Sequence, residues 1–92
     1  MKQITPEHLR SLRSDVPIAE VIQRLQIPQE RRGTRVTFRC PECEQFHTAL
    51  STLRNRAHCF RCARSFNTID LVMEERGCSF LEAVALLECL LP

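Results

Sequence analysis

Apolar residues recur with a helical period at both ends of the chain and alternate in its middle, so the hydrophobic pattern alone divides it into three stretches. Near the start, Thr5 reads as a helix N-cap with Pro6 at the first helical position. Leu9 and Leu12 supply an apolar edge, and this helix is expected to end near Arg13. His8 on it is expected to face solvent. A second helix follows from about Pro17: Ile18, Val21, Ile22 and Leu25 fall at i, i+3, i+4 and i+7, and Pro28 is expected to stop it.

The middle changes period. Arg31-Arg32-Gly33-Thr34 has turn character, after which Arg35-Val36-Thr37-Phe38-Arg39 alternates as a half-buried strand. Thr48 to Leu53 alternates again, Arg54-Asn55-Arg56 reads as a turn, and Ala57-His58-Cys59-Phe60 as the returning strand. Then the helical period resumes. Asn67 can cap a helix with Asp70 three residues on; Ile69, Leu71, Val72 and Met73 give it apolar surface, and Gly77 ends it. Ser79-Phe80-Leu81-Glu82 forms a capping box for a last helix to about Leu90, with Val84, Leu87 and Leu91 as its main stripe, joined by Phe80, Ala83 and Leu90. Phe38, Phe66 and Phe80 are expected in the core.

The chemistry lies at the two ends of the alternating stretch. Cys40-Pro41-Glu42-Cys43 and Cys59-Phe60-Arg61-Cys62 are two Cys-x-x-Cys pairs with residues 44–58 between them, the spacing of a tetrathiolate zinc site. One pair alone would read equally as a redox dithiol. Four buried cysteines or two disulfides are the alternatives, and the tight pairing of the thiols argues against both. Cys78 and Cys89 fall in helical sequence without a partner pair and are expected to be small core residues. The expected fold is therefore small α+β: a zinc ribbon, a short antiparallel sheet with two cysteine knuckles, flanked by N- and C-terminal helices. The whole chain, 1–92, reads as one such domain, with helices over about 5–26, the ribbon over about 31–66 and helices over about 67–91.

Ninety-two residues bury barely enough apolar area to offset chain entropy, so one structural Zn2+ is an expected part of the folding free energy. The opening residues, Met1-Lys2-Gln3-Ile4, lead into polar sequence with no apolar run of leader or membrane length, from which a soluble, cytoplasmic chain without membrane contact is expected. The net charge of +2 hides an asymmetry. Residues 31–64 carry eight arginines against Glu42 and Glu44, whereas residues 65–92 carry Arg76 against five acids. Positive charge thus surrounds the cysteines, and nearly all of it is arginine, whose planar fork suits phosphates and guanine edges. A solvated basic face that only confers solubility is the plain alternative.

Taken in order, Ile18-Ala19-Glu20-Val21-Ile22, Gly33, Cys40-Pro41, His58-Cys59-Phe60-x-Cys62, Asn67-x-Ile69-Asp70 and Ser79-Phe80-x-Glu82-Ala83 resemble the N-terminal zinc-binding domain of bacterial DnaG-type DNA primases, over nearly the whole chain. The resemblance implies a ribbon flanked by helices that helps recognise single-stranded template where a primer starts, with a separate polymerase domain making the RNA. One residue and two short segments depart from the family pattern. Cys43 stands where bacterial members have histidine, Ala63-Arg64-Ser65-Phe66 replaces a glycine-rich step, and Thr48-Ala49-Leu50-Ser51 replaces a threonine-proline-serine segment.

Together these readings lead to a zinc-binding domain that recognises single-stranded DNA in primer initiation and is not an enzyme on its own. Cys40, Cys43, Cys59 and Cys62 are the expected ligands. Arg35, Arg39, Arg54, Arg56, His58, Phe60, Arg61 and Arg64 are the expected nucleic-acid contacts, with Phe46 or Phe60 as a stacking platform. A primase polymerase domain or a replicative helicase is the expected protein partner. A ribbon that only joins other proteins is the second reading. An enzyme is the weakest, because four thiolates close the coordination position that catalytic zinc keeps open.

Overall fold

A computed structural model describes residues 4–92; Met1–Gln3, where the reading of a leaderless start falls, lie outside the described residues. Four helices and five strands follow in the order α1 (Pro6–Ser14), α2 (Ile18–Leu25), β1 (Gln29–Arg32), β2 (Arg35–Phe38), β3 (Thr48–Ser51), β4 (Arg56–Cys59), β5 (Arg64–Phe66), α3 (Thr68–Arg76) and α4 (Phe80–Glu88). The strands form one antiparallel meander in chain order. The α+β ribbon read from the sequence is the fold observed. No helix among the described residues is long and apolar enough to cross a membrane.

Helix ends form where local chemistry satisfies the orphan backbone groups. Thr5 Oγ1 accepts from the His8 amide at 3.1 Å, with Pro6 at the first helical position. Asn67 and Asp70 make a reciprocal capping box, and α3 ends at Gly77 in the left-handed conformation with φ 59°. Ser79 caps α4 only by half of such a box: its Oγ accepts from the Glu82 amide and donates to the Glu82 carboxylate. The stop of α2 differs from expectation. Gln26 takes a left-handed C-cap with φ 55°, two residues before Pro28, so the helix is closed by backbone hydrogen bonds and not by the proline.

The sheet is wider than its apolar pattern suggested. Arg31 and Arg32 belong to β1, and the reversal is confined to Gly33 and Thr34, with Gly33 at φ 64°. β1 reads Gln-Glu-Arg-Arg, with no apolar residue to betray it, as suits an edge strand whose charges discourage pairing with another chain. β5 has three residues and adds Phe66, opposite Ala57, to the buried face. The expected strand end at Leu53 is instead an exposed turn tip, and α4 stops at Glu88, short of Leu90.

The core lies between the helices and one face of the sheet. Leu12, Val16, Ile18, Val21, Leu71, Val72 and Leu87 meet Ala57 and Phe66 there, and all are buried. α3 is central, packing on α1, α2, α4 and β5, and Thr68 Oγ1 donates to the Leu12 carbonyl at 2.7 Å. Phe38 packs against this core from its margin. Two expected core residues do not: Phe80 is 39% exposed and Cys89 is exposed, because α4 turns Ala83, Val84 and Leu87 inward and leaves those positions outside. His8 is half-buried, its Nε2 3.3 Å from Glu88 Oε2, which ties α1 to α4.

Candidate metal centre and basic sheet face

The two knuckles occupy equivalent places in the meander. Cys40 and Cys43 lie on the β2–β3 connection; Cys59 ends β4 and Cys62 lies within the turn into β5. In each knuckle the residue after the second cysteine is left-handed, Glu44 at φ 59° and Ala63 at φ 57°. That reversal carries the chain back toward the sheet. Amides of the loops point at sulfur: Glu42 N–H donates to Cys40 Sγ and Cys62 N–H to Cys59 Sγ, each at 3.4 Å.

All four Sγ atoms lie within 4.8 Å of one another, with Cys40 to Cys62 at 3.8 Å and Cys43 to Cys59 at 3.7 Å. Those gaps are too long for a disulfide, whose sulfurs approach to about 2.0 Å. They match the roughly 3.8 Å edge of a tetrahedron whose arms are zinc–sulfur bonds of about 2.3 Å. Protonation points the same way. Burial pushes the Cys59 thiol up, but amide donors from Cys62 and Arg61 and the neighbouring thiols outweigh it and bring it down to about 7. Cys62, hydrogen-bonded to Cys43, partly desolvated and beside further sulfurs, is pushed up to about 12, and burial raises Cys40. Thiols so close do not ionise together unless a cation balances them. The donor set therefore fits one structural zinc ion, four-coordinate and closed. Cys78 and Cys89 lie outside the cluster.

The remaining candidates divide by sheet face. Directly opposed residues share a face. Phe38, Thr48, Cys59, Leu50, Ala57 and Phe66 thus point one way, toward the helices. Arg32, Arg35 and Thr37, together with Ala49, Ser51, Arg56, His58 and Ser65, point the other way, and none of these is buried. A groove of about 240 Å³ lies on this outer face between Arg35, Thr37, His47, Ala49 and Phe60. Beside it a second concavity is lined by Ser51, Arg54, Arg56, His58 and Ser65. The His58 and Phe60 rings meet edge to face at 4.8 Å, and His58 Nδ1 lies 2.8 Å from Ser65 Oγ. Phe60 itself is 69% exposed.

Arg35, Arg54, Arg56, His58 and Phe60 are accordingly brought together on the outer face and its rim, and Arg61 is exposed in the second knuckle. Arg39 and Arg64 are engaged otherwise. Arg39 Nη2 pairs with Glu75 Oε1 of α3 at 2.8 Å. Arg64 bridges Glu42 and Glu74 and lies over the Phe66 ring at 4.8 Å. Phe46 lines an adjoining hollow with Glu30 and Arg32, which shares Arg35, Thr37 and His47 with the groove beside Phe60. Arg32 was not among the expected nucleic-acid residues. Its place beside Arg35 follows from β1, which carries no apolar signal, and its guanidinium is paired to Glu30 at 2.6 Å.

The family described as CHC2 zinc finger, the zinc ribbon of DnaG, matches residues 4–90. No curated protein matches the chain.

Proposed function

We propose that this chain, which belongs to the CHC2 zinc finger family of DnaG-type primase zinc domains, binds single-stranded DNA across the outer face of its sheet in support of primer initiation. The observation that carries the reading is the composition of that face. Helices cover its opposite side, and it presents Arg35, Arg54 and Arg56 around small residues, Ala49, Ser51 and Ser65, with Phe60 and His58 standing beside them. Arginines at the rim suit phosphates, an exposed ring suits base stacking, and short side chains between them let a strand approach the backbone. Zinc holds the knuckles that frame this face and does no chemistry in the reading.

Recognition, not catalysis, is the part we assign to the domain. Magnesium-dependent nucleotide transfer needs clustered free carboxylates. Glu30, Glu42, Glu74 and Glu75 are instead paired with arginines, and Asp70 serves a helix cap. The setting we infer is the cytoplasm, with a primase polymerase domain or a replicative helicase as protein partner. A reading as a protein adaptor draws on the other end of the molecule, where Phe80 and Leu81 are exposed, Leu81 by 66%.

Anisotropy of a labelled oligonucleotide over a salt series tests the proposal. Zinc-loaded protein should bind, and replacing Arg35 or Arg56 by alanine should lower the slope of log K against log salt by about 0.7 for each phosphate no longer held. Phe60→Ala should weaken binding by about 1–3 kcal/mol with the slope kept. No binding at low salt would favour the adaptor.

A further inference from the structure

Four arginines converge where the sheet meets the first helix. Arg10 and Arg13, one turn apart on α1, line a pocket of about 200 Å³ together with Arg54 of the β3–β4 turn, Arg56 at the start of β4 and Asn67. No acidic residue lines it, and among the described residues none of the four arginines has an ion-pair partner, whereas Arg32, Arg39 and Arg64 each have one. The two elements are locked together. Asn55 Nδ2 donates to the Arg13 and Val16 carbonyls at 2.6 and 2.8 Å, and its Oδ1 accepts from the Ile18 amide at 2.8 Å. The arginines are thus held in mutual proximity by the fold, and their repulsion is what a polyanion relieves. The pocket also shares Arg54 and Arg56 with the concavity containing His58 and Ser65, so the basic surface continues without a break from the sheet, over its rim, onto the helix.

We infer that single-stranded DNA leaving the outer face of the sheet turns over this rim, where Arg10 and Arg13 hold its backbone phosphates; the inference rests on the sheet-face reading above. The pocket contains no aromatic side chain on which a base could stack, in contrast to the groove beside Phe60, and its unpaired arginines on an exposed rim suit backbone phosphates. Arg10 and Arg13 therefore add length and affinity to the strand's path but no sequence preference.

The test compares zinc-loaded wild type with an Arg10→Ala/Arg13→Ala variant on oligothymidylates of increasing length. Both side chains are exposed, and the Asn55 hydrogen bonds use only the backbone of residue 13, so zinc content and circular dichroism should be unchanged. On long oligonucleotides the salt slope should fall by about 1.4, two phosphates released at about 0.7 each. The deficit should be the same on mixed-sequence templates and should vanish on the shortest oligonucleotides that wild type binds. An unchanged slope at every length would overturn the inference, as would a deficit already complete on the shortest oligonucleotide. If wild type binds and Arg35→Ala weakens it, such a result leaves the sheet-face reading standing; if wild type does not bind, both fall.

Discussion

The helical and the ribbon halves of this molecule are held by different forces. The helices bury Leu12, Val16, Ile18, Val21, Leu71, Val72 and Leu87 and rely on apolar burial with ordinary caps. The five strands and their loops contribute one large buried side chain, Phe66; their other fully buried residues are Thr48, Ala57 and two of the thiols, Cys40 and Cys59. Burying a phenylalanine contributes about 1.5–3 kcal/mol, far too little to fix a small sheet with eight arginines around it. Metal coordination removes that constraint. A sheet stapled by zinc can spend its outer positions on arginine, serine and alanine.

Withdrawing the metal should separate the halves most sharply. Structural zinc in finger peptides is worth about 10–16 kcal/mol, so chelation, or Cys59→Ser, should abolish amide protection through residues 35–66 while the helices lose it later or only in part. Hydrogen exchange with and without chelator reads this directly; a ribbon that stays protected without metal would end the contrast. Acid should do the same by displacement, because coordination must strip protons from Cys40 and Cys62, and below about 7 from Cys59 as well, so affinity should fall steeply as pH is lowered. Were the ribbon to stay folded without metal, the thiol contributions would oppose each other in sign. The depressed Cys59 contributes above its ordinary 9.0, a contribution lost as pH falls through about 7; the raised Cys62 contributes below 9.0, lost as pH rises through about 12.

A smaller effect comes from the apolar side. Leu12→Ala should cost about 2–5 kcal/mol in urea melts and leave zinc stoichiometry at one, because all four thiols sit on the strands and loops of the ribbon and none on the helices. Loss of zinc in that variant would show that the two halves are not separately held. The smallest effect is expected at Ala63, left-handed with a β-carbon: Ala63→Gly should stabilise the zinc-bound protein by about 1 kcal/mol in thermal melts. No gain there would mean that the knuckle absorbs the strain.

What the sequence disclosed follows the same division. Helices announce themselves through periodicity and caps, so Thr5, Asn67, Gly77 and Ser79 stood where expected, and two Cys-x-x-Cys pairs specified the metal centre before any geometry was known. The sheet edges were illegible. β1 is wholly polar, and β5 is too short to show alternation. Charge run alone also did not reveal which arginines are spoken for: Arg39 and Arg64 are claimed by acids of α3 and the first knuckle, far along the chain. Nor did it reveal that Arg10 and Arg13 share a pocket with Arg54 and Arg56, since an asparagine's three hydrogen bonds across the fold carry no sequence signature.

Those three bonds also impose an order in time. During synthesis α1 and α2 emerge first, but the carbonyls of Arg13 and Val16 and the amide of Ile18 at the bend between them find these partners only once residue 55 has followed. The zinc loops close within residues 40–62, and the turn holding Asn55 lies inside that closure. Completion of the N-terminal bend therefore waits on the segment that takes up the metal, and a nascent chain halted before residue 55 holds two helices whose joint is still open to water.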